Sequence, residues 1–358
     1  MRKQLILTLF LLLLLLGCGG KAQESQQDEK IQNLIKKLEG EYKPESPVVG
    51  QLAEIGAPAV KFLIAALEST DEGSRAHAAE ALGRISHRDA VEPLILALSD
   101  DSTTVRRGVV SALGNIGDKR SFQPLINLLK KPEGDRGTRS SAVWALGQTG
   151  GRKAVPLMIR FITDDDPLVR MYAAIALDEM PDTRAFGVLV QALHDTYEPV
   201  QCNAASALGK IGDRKAVEHL TWLLAERDWE VRCITAWALG RLGGDSALEN
   251  LKKRWKRDPD QSVRTCAAFG LAKAGNEEAS RYLIEALESD NSDVVSRAAE
   301  ALGELEDRRA LRPLVNLTKR KNEMVLFFAT EALKRITKQD FGENHDKWKT
   351  WYEDNRDK

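Results

Sequence analysis

Histidine and cysteine are the residues of this sequence that could bind a metal or act as nucleophiles, and both are few. A metal site needs three or four donors that converge. The five histidines are widely separated, and only His219 neighbours a Glu, Glu218, in the order Glu-His. The sequence therefore predicts no metal, no cofactor and no catalytic site. The histidines are His77, His87, His194, His219 and His345.

The first 18 residues have the three parts of an export signal and end in a cysteine. Arg2 and Lys3 precede an almost unbroken apolar stretch over residues 5–16. This stretch is shorter than the roughly 20 residues that a membrane-spanning helix needs, so we expect a secretory signal peptide over residues 1–18. Its end, Leu15-Leu16-Gly17-Cys18, resembles the lipobox of bacterial lipoproteins, whose cysteine is acylated. The alternative is ordinary cleavage with Cys18 merely nearby.

The lipobox resemblance implies a lipid-anchored protein of the bacterial cell envelope, held in the bilayer by its acylated N-terminus. The residue after Cys18 is Gly19 and not Asp, which favours the periplasmic face of the outer membrane if the cell has two membranes. Residues 19–28 contain no apolar side chain larger than alanine. Such a segment cannot bury enough surface to fold, so it is predicted to be a flexible tether.

The charges of the chain are balanced, with 52 Lys and Arg against 53 Asp and Glu. A protein that binds nucleic acid shows clusters of Lys and Arg unmatched by acids. Here the signs alternate along the chain, so no nucleic-acid partner is expected.

The tripeptide Ala-Leu-Gly recurs along the chain. Successive copies, including degenerate ones, are 30 to 33 residues apart. A fixed period of this length marks a stacked array in which no single unit can bury its apolar face alone. The clear copies are Ala81-Leu82-Gly83, Ala112-Leu113-Gly114, Ala145-Leu146-Gly147, Ala207-Leu208-Gly209, Ala238-Leu239-Gly240 and Ala301-Leu302-Gly303.

Each unit contains two helical patterns. In residues 90–98, for example, apolar residues recur at intervals of three and four residues. Pro93 lies in the first turn, where its missing N–H costs little. The second helix is predicted to end at the glycine of Ala-Leu-Gly. It is predicted to begin at a side chain that caps free N–H groups, with Tyr197 as the exception. The capping residues are Asp71, Ser102, Asp135, Asp166, Asp228, Asp260, Asn291 and Asn322.

The Ala-Leu-Gly motif, continued by Ile-Gly-Asp-Arg and a later Val-Arg, resembles the HEAT-like repeat family that takes its name from phycobilin lyases. Residues 207–232 match it almost throughout, and the resemblance covers roughly residues 46–335. It implies an all-α fold, a right-handed alpha-alpha superhelix of the HEAT/armadillo type with about ten 31-residue helix pairs. Residues 29–45 are predicted to form an N-terminal capping helix. Residues 336–358, with Trp348 and Trp351, are predicted to form a C-terminal capping element.

An arginine occupies one equivalent position in six units, and an acid stands six residues earlier in five of them. The pattern resembles the HEAT Asp–Arg ladder, in which ion pairs between adjacent units fix the stacking. The alternative is a row that binds an acidic partner, although acids recurring at the same period favour the ladder. The arginines are Arg75, Arg106, Arg139, Arg170, Arg232 and Arg264, and the acids are Asp100, Glu133, Asp164, Glu226 and Asp258.

The inner face of the second helices is predicted to carry an apolar stripe at its centre. A contiguous exposed aromatic surface usually marks an interaction site, so this stripe is the candidate partner-binding groove. The alternative is that these side chains are core. The stripe consists of Trp144, Met171, Tyr172, Ile175, Ile234, Trp237 and Phe269; polar residues hold the same positions in the outer units, namely His77, Glu80, Arg107, Ser111, Arg297, Glu300 and Glu331.

Cys202, Cys233 and Cys266 lie one repeat apart. Equivalent positions on neighbouring helices are about 8–10 Å apart, beyond the roughly 7 Å limit for a disulfide. We therefore expect these three cysteines to be unbridged.

Together these patterns predict an envelope-anchored scaffold that binds a protein or peptide on the concave face of a solenoid. The alternative is an enzyme related to the lyases or deoxyhypusine hydroxylases that share the repeat. As a family the hydroxylases hold two irons with His-Glu dyads on the inner helices, and those dyads are absent here. An exported lipoprotein would also not meet a cytoplasmic pigment protein. Fold resemblance alone does not establish an activity.

Overall fold

The computed structural model describes residues 26–130 and 135–356, and all regular structure in these ranges is helical. The expected signal peptide, Cys18 and residues 19–25 lie outside the described residues, as does Glu133 of the expected ladder. Residues 26–28, predicted as the end of a tether, already belong to the first helix, α1 (26–36). Within the described ranges, no helix is both long enough and apolar enough to cross a membrane.

The helices alternate between two types. The odd-numbered first helices after α1 are α3 (Ala57–Ala66), α5 (Val91–Ala97), α7 (Phe122–Leu129), α9 (Val155–Phe161), α11 (Phe186–Ala192), α13 (Ala216–Leu220), α15 (Asp245–Arg257), α17 (Glu277–Ala286) and α19 (Leu311–Leu317). The even-numbered second helices are α2 (Pro47–Ile55), α4 (Glu72–Ile85), α6 (Thr103–Ile116), α8 (Arg136–Gly150), α10 (Pro167–Glu179), α12 (Glu198–Ile211), α14 (Trp229–Leu242), α16 (Gln261–Lys273), α18 (Ser292–Glu304) and α20 (Glu323–Thr337).

The chain divides into two compact units, unit 1 (Met1–Ala176) and unit 2 (Leu177–Lys358). In unit 1 the second helices α4, α6 and α8 pack against one another in order. In unit 2 the second helices α12 to α20 do the same. First helices pack on the second helices of their own repeats, for example α5 on α6 and α19 on α20. Each unit is therefore a stack of helix pairs in two layers, the α-solenoid that the period predicts.

The core of each unit is built from the repeated tripeptide. Its leucine points between the helix layers and is fully buried in every clear copy, which removes a large apolar side chain from water once per repeat. Its alanine is also buried, and its small size lets neighbouring second helices approach. The buried leucines are Leu82, Leu113, Leu146, Leu208, Leu239 and Leu302.

The predicted helix caps are confirmed. The Ser74 N–H donates to the Asp71 carboxylate at 2.7 Å, and each of the other predicted capping side chains accepts from an N–H of its own first turn. Tyr197 makes no side-chain cap, as expected. Each cap satisfies N–H groups that the first turn leaves unpaired and stabilises its helix by about 1 kcal/mol.

The role predicted for the glycine of Ala-Leu-Gly is wrong. The helices continue beyond it, and α6 and α12 end at Gly117 and Gly212, whose φ angles are 66° and 79°. The glycines of the tripeptide instead allow close helix contact, since a Cβ on Gly209 would lie 2.8 Å from the Ala238 Cα. Gly83 faces the Ala112 Cα in the same way. A side chain at these positions would force neighbouring second helices apart.

Each arginine of the ladder for which the structure describes the turn binds the start of its own helix. The Arg232 Nη1 donates to the carbonyls of Glu226 and Arg227 at 2.9 and 2.8 Å. The same pair of carbonyl contacts is made by Arg75, Arg106, Arg170 and Arg264. The guanidinium therefore closes the turn between the two helices of its own repeat.

Arg75, Arg139 and Arg232 also pair with the acid of the following repeat. Arg75 forms two hydrogen bonds to Asp100, at 2.7 and 3.0 Å, and Arg232 forms two to Asp258, both at 3.0 Å. Arg139 pairs with Asp164. Burial acts to raise the pKa of Asp100, but the hydrogen bonds from Arg75 and the Ser102 N–H and the nearby positive charges lower it overall. The ladder thus runs between adjacent repeats within each unit.

The C-terminal element is a helix, α21 (His345–Asn355), packed on α19. Trp348 is fully buried; its indole N–H donates to the Gly342 carbonyl at 2.7 Å and its ring meets Phe341 edge-on. The preceding helix α20 ends at Thr337, two residues beyond the predicted end of the solenoid at 335.

Candidate functional site

In unit 1 the chain itself covers the first positions of the predicted groove. Residues 40–45, here called the N-terminal strap, lie against α4. The Tyr42 hydroxyl donates to Glu80 at 3.0 Å, and the Lys43 N–H donates to His77 Nε2 at 3.1 Å. His77 Nδ1 lies 3.0 Å from the Leu38 carbonyl, which fits donation from Nδ1 while Nε2 accepts from Lys43. His77 and Glu80 therefore hold the strap in place.

The electrostatics of the strap centre on Tyr42. Partial burial, together with the negative charge and the hydrogen bond of Glu80, raises the pKa of Tyr42 to about 12. The hydroxyl stays protonated at neutral pH and remains a hydrogen-bond donor. Tyr42 and Glu80 both belong to unit 1, so their hydrogen bond fixes the strap to α4 within that unit.

The apolar residues predicted for the groove in unit 1 are half-buried. Trp144 lies over Gly114 of the preceding repeat, where a Cβ would be 2.8 Å from Cε3 of the ring. Arg107 lies over Gly137 and 3.5 Å from Asp135. Met171, Tyr172 and Ile175 on α10 are half-buried as well, and so is Ser111. These side chains offer part of their surface to a partner and use the rest for packing.

In unit 2 the predicted stripe is mostly core. The rings of Trp237 and Phe269 stack with centroids 4.2 Å apart and planes 15° apart. Trp237 is 7% exposed and Phe269 is fully buried, so the prediction that these two rings are open to a partner is wrong. Their neighbours on consecutive second helices cover them because the glycine contacts bring the helices close. Ile234 is half-buried.

Trp237 lines a cleft in unit 2 with a volume of about 340 Å³, here called the central cleft, and Phe269 lies behind it. Charged side chains outnumber apolar ones along its walls. The positive side chains are Lys210, Arg241, Arg297 and Arg335, and the negative ones are Asp178 and Glu300; Ser206, Ile234, Trp237, Ala238 and Cys266 complete the lining.

Most charges of the central cleft are paired inside unit 2. Lys210 contacts Asp178 at 2.7 Å, and Arg241 contacts Glu304 at 2.6 Å. Arg297 lies 3.3 Å from Glu300. Arg335 is exposed and, in the part of the chain that the structure describes, no carboxylate lies within ion-pair distance of it. The excess positive charge of the cleft is therefore concentrated at Arg335.

A second cleft of about 220 Å³, the end cleft, adjoins the central cleft and shares Glu300 and Arg335 with it. Phe327 and Phe328 form its apolar wall, with ring centroids 5.3 Å apart and planes at 82°. Phe327 is 58% exposed. The remaining carboxylate, Glu331, is neutralised by Lys334 at 2.8 Å. The end cleft is thus lined by an exposed aromatic ring and by an uncompensated guanidinium.

The sequence interpretation missed these residues. Lys210, Arg241 and Arg335 stand at the position directly after the Ala-Leu-Gly tripeptide or its degenerate copy, and so does Glu304, the partner of Arg241. Comparing that position across the repeats would have found these cations. Phe327 and Phe328 stand at the groove positions of the last repeat, where only Glu331 was considered.

The predicted state of the cysteines is wrong for two of them. Cys233 and Cys266 form a disulfide, with Cα atoms 5.4 Å apart. A Cβ on Gly240 would lie 2.6 Å from the Gly270 Cα, so α14 and α16 approach more closely than the average spacing of packed helices. Cys202 is free and half-buried. Burial, reinforced by Glu230 and Asp228, raises the pKa of its thiol to about 12.

The histidines are dispersed in the structure. His194 stacks on Trp222 at 4.7 Å, His219 lies 3.7 Å from Glu218, and His345 contacts Thr318 at 2.8 Å. Over residues 26–130 and 135–356, no three His, Cys, Asp or Glu side chains come together in a way that could hold a metal ion.

Comparison with known proteins places the fold. The HEAT repeats model matches residues 60–138, 133–200, 186–272 and 256–334. An engineered protein shares 23% identity with a TM-score of 0.48, over 88% of this chain and 96% of that one. The CpcE and CpcF complex of phycocyanin lyase from Nostoc sp. PCC7120 shares 24% identity with a TM-score of 0.42, over 71% and 92%. Human deoxyhypusine hydroxylase in complex with glycerol shares 20% with a TM-score of 0.32, over 72% and 99%.

The comparison with curated protein sequences found no match. The three TM-scores are all below 0.5, so nothing about this chain is inferred from these structures. The matched repeats cover well over half of the sequence. The chain belongs to the HEAT repeat family.

Proposed function

We propose that this chain is a scaffold of the bacterial cell envelope that binds a protein partner on the open face of its second helices. The observation that carries the proposal is the pair of adjoining clefts in unit 2, where the exposed Phe327 ring stands beside the unpaired Arg335. Aromatic residues and arginine dominate binding hot spots, because they bury large area with few rotatable bonds and form several hydrogen bonds.

Trp144 and Tyr172 of unit 1 are proposed to add to recognition, since each keeps part of its ring exposed. Trp237 and Phe269 are proposed to have a supporting role, with Trp237 lining the central cleft and Phe269 packed against its ring.

A photo-reactive phenylalanine derivative placed at position 327 tests the scaffold proposal in intact cells. The matched control is the same derivative at Leu96, which is 77% exposed but lies on a first helix. We expect one discrete cross-linked product at 327 that is absent at 96. Equal labelling at both positions, or none at either, would refute the proposed binding face.

Export and lipid anchoring through Cys18 form the second part of the proposal. Support comes from the lipobox and from the Cys233–Cys266 disulfide, because disulfides persist in oxidising compartments and are rare in the cytosol. Cys18→Ser should yield an uncleaved or soluble protein in place of a lipid-modified one, since stable anchoring needs the acyl chains. Unchanged mass and unchanged membrane fractionation of this variant would remove the lipoprotein proposal.

The enzymatic alternative is a member of the lyase or di-iron hydroxylase branches of the repeat family. Metal analysis of the purified mature chain separates the scaffold from a hydroxylase directly, because a di-iron enzyme would carry about two irons per chain when isolated with its metal.

A further inference from the structure

We propose that the two clefts of unit 2 recognise an extended acidic peptide segment in which a side-chain carboxylate stands next to an aromatic or large apolar residue. The carboxylate binds Arg335, and the apolar side chain packs against Phe327 and Phe328. This inference rests on the proposed binding face and names the chemistry of its partner.

The charge of the partner follows from the pairing of the cleft residues. Lys210, Arg241 and Arg297 each contact a carboxylate of unit 2, so the charge of each is already balanced within the unit. Arg335 has no such partner among the described residues, so an incoming carboxylate completes a pair there. Arginine presents a planar fork of donors that suits a bidentate carboxylate.

The apolar part of the partner follows from the position of Arg335. Its side chain lines both clefts, so a group bound to it is adjacent to the end cleft as well. There Phe327 is 58% exposed and meets Phe328 edge-on. Covering such a ring with another apolar side chain removes both surfaces from water, and the dry contact strengthens the neighbouring ion pair.

The extended form of the partner follows from the repeat. The central cleft takes side chains from successive second helices, α12, α14, α18 and α20 among them. Neighbouring helices are spaced by about 8–10 Å, a distance that two to three residues of extended chain cover. A strand-like segment can therefore follow the row from Lys210 toward Arg335, whereas a helix would present its side chains at a different spacing.

The test uses short fluorescent peptides and the mature chain. The first peptide alternates Asp and Glu with Phe and is amidated at its C-terminus; in the second Ser replaces Phe, and in the third Lys replaces the acids. We expect binding of the first peptide that weakens as salt is raised, with much weaker binding of the other two. A free C-terminal carboxylate should make little difference, and binding that requires it would overturn the proposal.

Two surface variants connect the affinity to the site. Arg335→Glu should weaken binding of the first peptide by about tenfold or more, and Phe327→Ala by a similar factor, because each removes one of the two contacts. The controls are Lys256→Glu and Leu96→Ala, which change an exposed cation and an exposed apolar residue on first helices. Circular dichroism confirms that each variant is folded.

The outcomes separate this inference from the proposed function. A cross-link at 327 without preference for the acidic peptide, or with equal effects of Arg335→Glu and Lys256→Glu, overturns the acidic partner and leaves the binding face standing. Failure of every peptide to bind also overturns it. Loss of the cross-link itself refutes the binding face, and the acidic partner falls with it.

Discussion

The two units are built from the same repeat but use the open face of their second helices differently. In unit 1 the strap is fastened to His77 and Glu80, and the aromatic residues further along are half-buried. In unit 2 the large rings Trp237 and Phe269 have become core, and the open positions carry charges and Phe327. The same sequence position can therefore serve packing in one repeat and recognition in another, depending on how closely the neighbouring helix approaches.

The largest expected difference between the units concerns their tryptophans. Trp237→Ala empties a site closed by Phe269 and should lower the free energy of unfolding by about 3–5 kcal/mol. Trp144→Ala removes a half-buried ring, so we expect roughly half that loss. Urea denaturation monitored by circular dichroism measures both, and partner affinity is measured on the same proteins. A larger loss for Trp144→Ala would reverse the assignment of core and surface.

The ladder provides the next comparison. Arg232→Ala leaves the fully buried Asp258 carboxylate with Arg254 at 3.6 Å and the Asp260 N–H at 3.1 Å, and should cost about 3 kcal/mol. Arg75→Ala breaks a more exposed pair with Asp100 and should cost about 1 kcal/mol. Denaturation curves of the two variants measure both losses of the free energy of unfolding and so test their ratio. The double variant Arg232→Ala/Asp258→Ala should regain part of the lost free energy of unfolding, because the buried charge is gone. A double variant no more stable than Arg232→Ala would contradict this explanation.

The glycine contacts are a feature that the units share. Gly209→Ala in unit 2 and Gly83→Ala in unit 1 each place a methyl group within 2.8 Å of a neighbouring helix backbone, so both should cost about 1–3 kcal/mol. The control Gly187→Ala lies in helix α11 with open space around it and should be neutral or slightly stabilising. Thermal melts of the three variants decide the point, and equal melting temperatures would show that the helices can shift at no cost.

The smallest expected effect concerns the strap. Because the pKa of Tyr42 is raised above that of the unfolded chain, the stability of this contact is complete below pH 10 and is lost as the pH rises toward 12. At neutral pH, Tyr42→Phe loses the hydrogen bond to Glu80, worth about 1 kcal/mol, and a glutamate-specific protease should cut after Glu45 about fivefold faster. Cleavage at an unchanged rate would mean that the remaining contacts of the strap, such as that of Lys43 to His77, hold it without the Tyr42 hydroxyl.

Periodicity and capping chemistry were enough to predict the helices, the two layers and the ladder positions, because these depend on residue type at fixed spacing. The Cys233–Cys266 disulfide could not be predicted from average helix spacing, since it depends on two facing glycines, Gly240 and Gly270. The burial of Trp237 was missed for the same reason. The cations of the central cleft could have been found in the sequence, by comparing the residue that follows each tripeptide across the repeats.

The disulfide also sets how unit 2 would respond to a pulling force. It joins α14 to α16 across 33 positions of sequence, so a chain stretched from its ends cannot extend that segment. About 110 Å of contour length would stay hidden until the bond is reduced, at about 3.3–3.6 Å per residue. The segment it encloses includes Trp237 and Arg241, so under load one wall of the central cleft would be the last part of unit 2 to lengthen.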